Sequence, residues 1–184
     1  MDKIEIIAAA IGLIYIYLEY KANAWMWLFC IAMSVLYAWV FWSGKMYANL
    51  MLNVYNIGVS LWGASLWLRH KGQDAGEGNI LSFPRKWLPL LLSVIVVLVP
   101  MLAWVLKIMG ETEAPVLDGL TASLSVVGIW MLAKKYYQQW YCWIVADVLY
   151  VAMFVHNGMW PSAVLYAVYV VVAVAGCVAW RKRC

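Results

Sequence analysis

Three carboxamides and a hydroxyl recur at helical spacing in "NLMLNVYNIGVSLWG", residues 49–63: Asn49, Asn53, Asn56 and Ser60. At about 100° per residue these four, with Gly63, fall within an arc of roughly 80°. The opposite face, Leu50, Leu52, Val54, Ile57 and Leu61, is apolar. Amides present paired donors and acceptors, so the chemistry such a stripe performs is recognition of hydroxyls and carboxamides. A second stripe joins Trp140, Trp143, Asp147, Tyr150 and Phe154, and a third joins Asp118, Thr121, Ser125 and Gly128. Aromatic faces add flat apolar walls and attract organic cations. The ligand these groups suit is small, flat and polar, neutral or cationic, with hydroxyl groups.

The same residues speak against catalysis. His70 and His156 fall in different loops, on opposite sides of the chain's predicted helices. There is no Ser-His pair, no metal-ligand spacing and no phosphate loop. Cys30, Cys142 and Cys177 lie inside apolar runs and Cys184 closes the sequence, without disulfide or zinc spacing. Neither an enzyme nor a bound cofactor or metal is expected.

The elements that position these stripes must sit in lipid. Of 184 residues, 67% are apolar and 12% charged, with thirteen tryptophans, against about half and a quarter in soluble domains. Charges are grouped between apolar runs of about 17 to 22 residues, the length of a membrane-crossing helix. Seven spans are predicted: Ile4–Tyr20, Trp25–Trp42, Tyr47–Leu68, Trp87–Ile108, Val116–Ala133, Trp140–Val155 and Trp160–Trp180. Each must be helical, because backbone groups cannot stay unpaired in hydrocarbon. With no basic leader region before it, the first is read as a true span.

Lysine and arginine divide unequally between the two sides. Three lie on the side of the N-terminus (Lys3, Lys45, Lys107) and ten on the other. The positive-inside rule places the N-terminus outside and the C-terminus in the cytoplasm. The net charge of +4 is thus an orientation signal and not a nucleic-acid footprint. Trp25, Trp42, Trp87 and Trp180, near span ends, read as interfacial anchors.

A repeat runs through the chain. Shifting by 113 residues aligns "FCIAMSVLYAWVFWSGKMY" (29–47) with "CWIVADVLYVAMFVHNGMW" (142–160). The same ungapped offset pairs Trp27 with Trp140, Gly63 with Gly176 and Trp67 with Trp180. Three helices, a connecting helix and three more form a parallel repeat, an arrangement known from carriers with midplane sites. The expected units are 1–68, a cytoplasmic loop 69–86, a linker helix and outer loop 87–115, and 116–184. The fourth span is nearly pure aliphatic and is expected to face lipid; the loop before it reads as a flexible connection.

Carried forward by 113, the first stripe lands on Ser162, Tyr166, Tyr169, Ala173 and Gly176, again with groups able to hydrogen-bond. On the first helix the counterparts of the Asp118 stripe are Glu5, Ala8, Gly12 and Tyr15. Small-residue stripes also glue helices together without a ligand, and Gly63, Gly128, Gly176 and Ser125 are read that way. Three asparagines within two turns exceed such glue. The candidate ligand-binding residues are Asn49, Asn53, Asn56, Ser60, Thr121, Trp143, Asp147, Tyr150, Tyr166 and Tyr169. A mid-span carboxylate is functional by default; Asp147 is read as holding substrate, carrying a proton, or pairing with a neighbouring donor. Asp118 and Glu5 lie near outer helix ends, where simple solvation accounts for them.

Residues 120–182 resemble the second half of the PnuC-type vitamin transporters. The resemblance rests on "WMLAKK" (130–135), W-x-x-W-I-x-x-D (Trp140–Asp147) and "WRK" (180–182), with "LEYKANAWMW" and "MYANLMLNVYNIGVSLWGASLW" in the first half. It implies an all-α integral membrane protein of the bacterial inner membrane, similar to the SWEET sugar transporters in its three-one-three helices. It also implies nicotinamide riboside uptake by facilitated diffusion, with a cytoplasmic kinase trapping the product, and a homotrimer. "EYKA" (19–22) resembles the thiamine branch, so thiamine is the alternative vitamin. A non-transporting membrane receptor or assembly protein is the alternative class.

Overall fold

The computed structural model describes residues 3–69, 80–110, 112 and 114–184. The side chains of Glu5 and Ala8, and residues 70–79 including His70, lie outside that description. Seven helices follow in order: α1 (Lys3–Tyr20), α2 (Met26–Ser43), α3 (Tyr47–Arg69), α4 (Leu88–Ile108), α5 (Pro115–Ala133), α6 (Gln139–His156) and α7 (Trp160–Lys182), with a 3₁₀ turn at Arg85–Trp87 before α4. Proline stands in the first turn of α4, α5 and α7, where its missing N–H costs nothing and its fixed φ suits a helix start.

Among the described residues, α2, α4 with its preceding turn, α5 and α7 are long and apolar enough to cross a membrane. The other three are equally long, at 18, 23 and 18 residues. They carry the carboxylates and amides: Glu19 on α1, three asparagines on α3 and Asp147 on α6. Those groups lower apolarity because they point inward. Outward faces are oily throughout, as with Trp39, Met51, Val54, Val96, Val97 and Val171, all well exposed. A surface of that kind is stable only against lipid or protein.

Positions 113 apart share local geometry. Trp27 meets Trp67 edge-on with ring centroids 5.6 Å apart, and Trp140 meets Trp180 at 5.7 Å and the same near-right angle. Gly63 and Gly176 admit these rings: a Cβ on either would lie 2.6 Å from Trp27 or Trp140. The Trp67 indole N–H donates to the Ala133 carbonyl at 3.1 Å, and that of Trp180 to the Tyr20 carbonyl at 3.0 Å. The first bond joins the last turn of α3 to the end of α5, and the second joins the last turn of α7 to the end of α1.

These contacts gather the main apolar core at one end of the bundle, around Trp27, Trp67, Leu132, Trp140 and Trp180. Trp180 is fully buried there and so is not the interfacial anchor expected of it. Its ring packs edge-on against Trp140, which fills the space over Gly176. Trp25, Trp42 and Trp87 do stand exposed, between 50% and 64%. This is also the lysine-rich end. Lys134 lies over the Trp62 ring and Lys135 over the Trp67 ring, at 4.9 and 4.7 Å from the centroids. Partial burial holds the Lys135 ammonium below its usual pKa.

The stretch before α4 departs from a flexible connection where it is described. Ile80 is buried in the core. The Leu81 N–H donates to the Lys135 carbonyl at 2.9 Å, and the Tyr137 N–H to the Leu81 carbonyl at 3.1 Å. Phe83 packs edge-on to Tyr136, and the Phe83 N–H donates to the Gln138 Oε1 at 2.9 Å. Residues 80–83 therefore form a strap across the α5–α6 turn. Helix α4 packs lengthwise on α5, where a Cβ on Gly119 would meet the Val99 carbonyl at 2.7 Å. The face bearing Leu90, Val97 and Trp104 is left exposed, in keeping with the lipid-facing role expected of α4.

Candidate functional site

A cavity of about 300 Å³ opens between α3 and α5. From α3 come Asn49, Asn53 and Asn56; from α5, Asp118, Thr121 and Ser125; Tyr150 of α6 and Phe41 of α2 complete the wall. The i, i+4, i+7 spacing on α3 and the i, i+3, i+7 spacing on α5 aim each set at one side of its helix. The two helices are held together by the Tyr55 hydroxyl, which donates to the Val126 carbonyl at 2.9 Å.

Several lining groups are already oriented. Asn53 donates an amide N–H to the Asn49 carbonyl at 3.0 Å. Thr121 donates to the Leu117 and Asp118 carbonyls and accepts from the Tyr150 hydroxyl at 3.3 Å. The Thr112 hydroxyl donates to the Asp118 carboxylate. Fixed donors and acceptors of this kind bind a polar solute without first having to be ordered.

Five of the ten sequence-predicted residues thus line one cavity: Asn49, Asn53, Asn56, Thr121 and Tyr150. Two more adjoin it through a chain of tilted and edge-on rings. Tyr166 lies 5.0 Å from Tyr150 and 5.5 Å from Tyr169, centroid to centroid, with Phe154 in the same cluster. Ser60 is not in the cavity; it is fully buried and donates to the Cys30 sulfur at 3.2 Å. Asp147, only 9% exposed, follows Tyr150 on the α6 face, one turn toward the lysine-rich end. Trp143 is a further turn along.

The α6 stripe starts one residue earlier than the sequence suggested. Trp140 and Gln139 sit at equal angles from the centre of that face, on opposite sides. Trp140 turns away into the Trp180 contact, and Gln139 turns inward. Gln139 Nε2 donates to Glu19 Oε1 at 3.0 Å, and the Trp143 N–H donates to Gln139 Oε1. Tyr15 also hydrogen-bonds Glu19. Glu19 and Gln139 are 2% and 0% exposed. Both escaped the sequence-level site, as did Asp118 and Ser125 as cavity-lining groups. The available signal for Glu19 was a lone carboxylate one residue before the end of an apolar helix.

Along α6, Gln139, Trp143, Asp147 and Tyr150 make one polar and aromatic line. The rise from Gln139 to Asp147 is about 12 Å, and the cavity adjoins the far end of the line. Buried amides and carboxylates aligned through an all-helical membrane body define a multi-pass membrane carrier of polar solutes. A family model described as Nicotinamide mononucleotide transporter matches residues 2–182, and the chain belongs to this, the PnuC, family. It is 28% identical to the nicotinamide riboside transporter PnuC of Neisseria mucosa, over 96% of this chain and 71% of that one. The nicotinamide riboside transporter PnuC of Escherichia coli is 24% identical, over 98% and 85%. A crystal structure of the vitamin B3 transporter PnuC superposes with a TM-score of 0.75 at 25% identity, covering 96% of this chain and 79% of that chain.

Proposed function

We propose that this protein imports nicotinamide riboside across the bacterial inner membrane by facilitated diffusion, with cytoplasmic phosphorylation trapping the product. The observation that carries the substrate is the cavity itself. Three asparagines face Asp118, Thr121 and Tyr150 across about 300 Å³. Carboxamides and hydroxyls suit a solute bearing a carboxamide and ribose hydroxyls, while Asp118, Asp147 and the tyrosine cluster suit its cationic ring. The names borne by its relatives point the same way.

The architecture that serves this function is a parallel three-one-three repeat of seven spans, similar to the SWEET carriers. Residues 1–68 and 116–184 are its halves, joined by the loop 69–86 and the linker unit 87–115. Matched tryptophan pairs and matched indole bonds at the 113-residue offset support it. The N-terminus lies outside and the C-terminus in the cytoplasm, as the lysine and arginine distribution implies. A homotrimer belongs to the same reading through the family resemblance.

Calorimetric titration of the detergent-purified protein with nicotinamide riboside and with thiamine tests the substrate. Nicotinamide riboside alone is expected to bind. Asn53→Ala and Asp147→Asn should each weaken it about 5- to 30-fold, the worth of one or two lost polar contacts. Binding of thiamine alone would transfer the same site and fold to the other vitamin. In proteoliposomes, uptake should stop at equal concentrations inside and out, and an imposed proton gradient should not drive accumulation.

A further inference from the structure

The chain Glu19–Gln139–Trp143 lies outside the cavity and closes the bundle between α1 and α6 at its lysine-rich end. A solute leaving the cavity along the α6 face meets Trp143 and then this bond. Helix α1 packs far less extensively on its neighbours than α5 does, and this bond joins it to α6 beside the Trp180–Tyr20 bond that joins it to α7. Breaking the Glu19–Gln139 bond with nothing in exchange would leave the carboxylate with the Tyr15 hydroxyl alone in a low-dielectric interior, which is unfavourable. No basic side chain pairs with Glu19 among the described residues; it accepts from Gln139 and hydrogen-bonds Tyr15.

The fold does not need this polar pair. At the 113-residue offset, Glu19 corresponds to Leu132 and Gln139 to Met26, and both of these are fully buried in the apolar core. The equivalent positions are thus occupied by hydrocarbon on one side of the bundle and by a carboxylate and a carboxamide on the other. Gln139 is itself a primary carboxamide with both ends engaged: its N–H₂ on Glu19 and its oxygen under the Trp143 N–H. A solute carboxamide offers the same donor and the same acceptor.

We propose that Glu19 is a specificity-determining residue at the inner end of the path, exchanging the Gln139 carboxamide for the primary carboxamide of the solute as α1 parts from α6. The exchange keeps the carboxylate paired throughout. It also rejects the isosteric acid, which has no donor and carries like charge, since a site built around a hydrogen bond discriminates strongly against analogues that lack it. This inference rests on nicotinamide riboside being the solute.

The test compares nicotinamide riboside with nicotinic acid riboside as competing solutes, for the full chain in proteoliposomes. Wild type should favour the amide by about 100-fold or more. Glu19→Gln should reduce that preference to about 10-fold or less, by raising uptake of the acid and not merely lowering that of the amide. A preference unchanged in Glu19→Gln, with both uptakes reduced alike, would assign Glu19 a purely structural role and overturn the proposal. Gln139→Leu supplies an independent arm by removing the internal competitor while keeping Glu19. It should bind the amide as tightly as wild type or more tightly, and a loss of about 10-fold, the worth of an ordinary structural hydrogen bond, in a monodisperse protein would also overturn the exchange. If wild type takes up neither riboside, the substrate reading itself fails. That result is distinct from uptake without discrimination, which sinks only the role of Glu19.

Discussion

Lys45 holds a backbone that its side chain does not favour. It follows α2 at φ 56°, in the left-handed region, while Gly158, 113 positions later, follows α6 at φ 70°. Both residues let the next N–H turn back: Met46 donates to the Phe41 carbonyl at 2.9 Å and Met159 to Phe154 at 2.8 Å. An L-residue in that conformation costs about 1–2 kcal/mol, which glycine avoids at a smaller entropic penalty. Lys45→Gly should therefore stabilise by about 0.5–1 kcal/mol, read as a rise of roughly 1–4 °C in the detergent melting temperature. Gly158→Ala should lower it, through backbone strain alone, because nothing lies within 4 Å of the added Cβ.

At the scale of the helix, α2–α3 and α6–α7 are each keyed by a tryptophan lying against a glycine. The rings of Trp27 and Trp140 are fully enclosed and cannot swing aside, so an added methyl must push the helices apart. Overpacking of this kind costs about 1–3 kcal/mol. Gly63→Ala and Gly176→Ala are each expected to destabilise by that amount in thermal unfolding. Trp67→Phe keeps much of the packing but removes the indole bond to Ala133, and should cost about 1 kcal/mol. The sequence already showed these glycines on stripes with the polar residues. It did not show which ring each one admits, because helical period names a face without naming the partner.

For the whole molecule, the charge distribution makes a directional prediction. Cys184 is exposed, Cys142 and Cys177 are buried and Cys30 is half-buried. A membrane-impermeant maleimide should label a single thiol rapidly. In right-side-out spheroplasts that label should be absent, and in inside-out vesicles it should appear and be lost in Cys184→Ser. Labelling from the outer side would reverse the orientation that the ten lysines and arginines of one side imply. The overall helix count, the exposed apolar face of α4 and the family were all legible beforehand, since each follows from apolar run length or from short motifs.

What the sequence determined by itself was local and periodic: helices, the polar face of α3, the Asp118–Thr121–Ser125 line on α5, and the 113-residue register. Rotation of one helix against another was left to the tertiary structure. It sent Trp180 and Trp140 into the core, set Ser60 against Cys30, and chose Gln139 over Trp140 for the inner end of the α6 stripe. It also joined Glu19 to Gln139 across 120 positions of chain. Period constrains residues within a few turns of each other, whereas a contact at that separation depends on how every intervening helix packs.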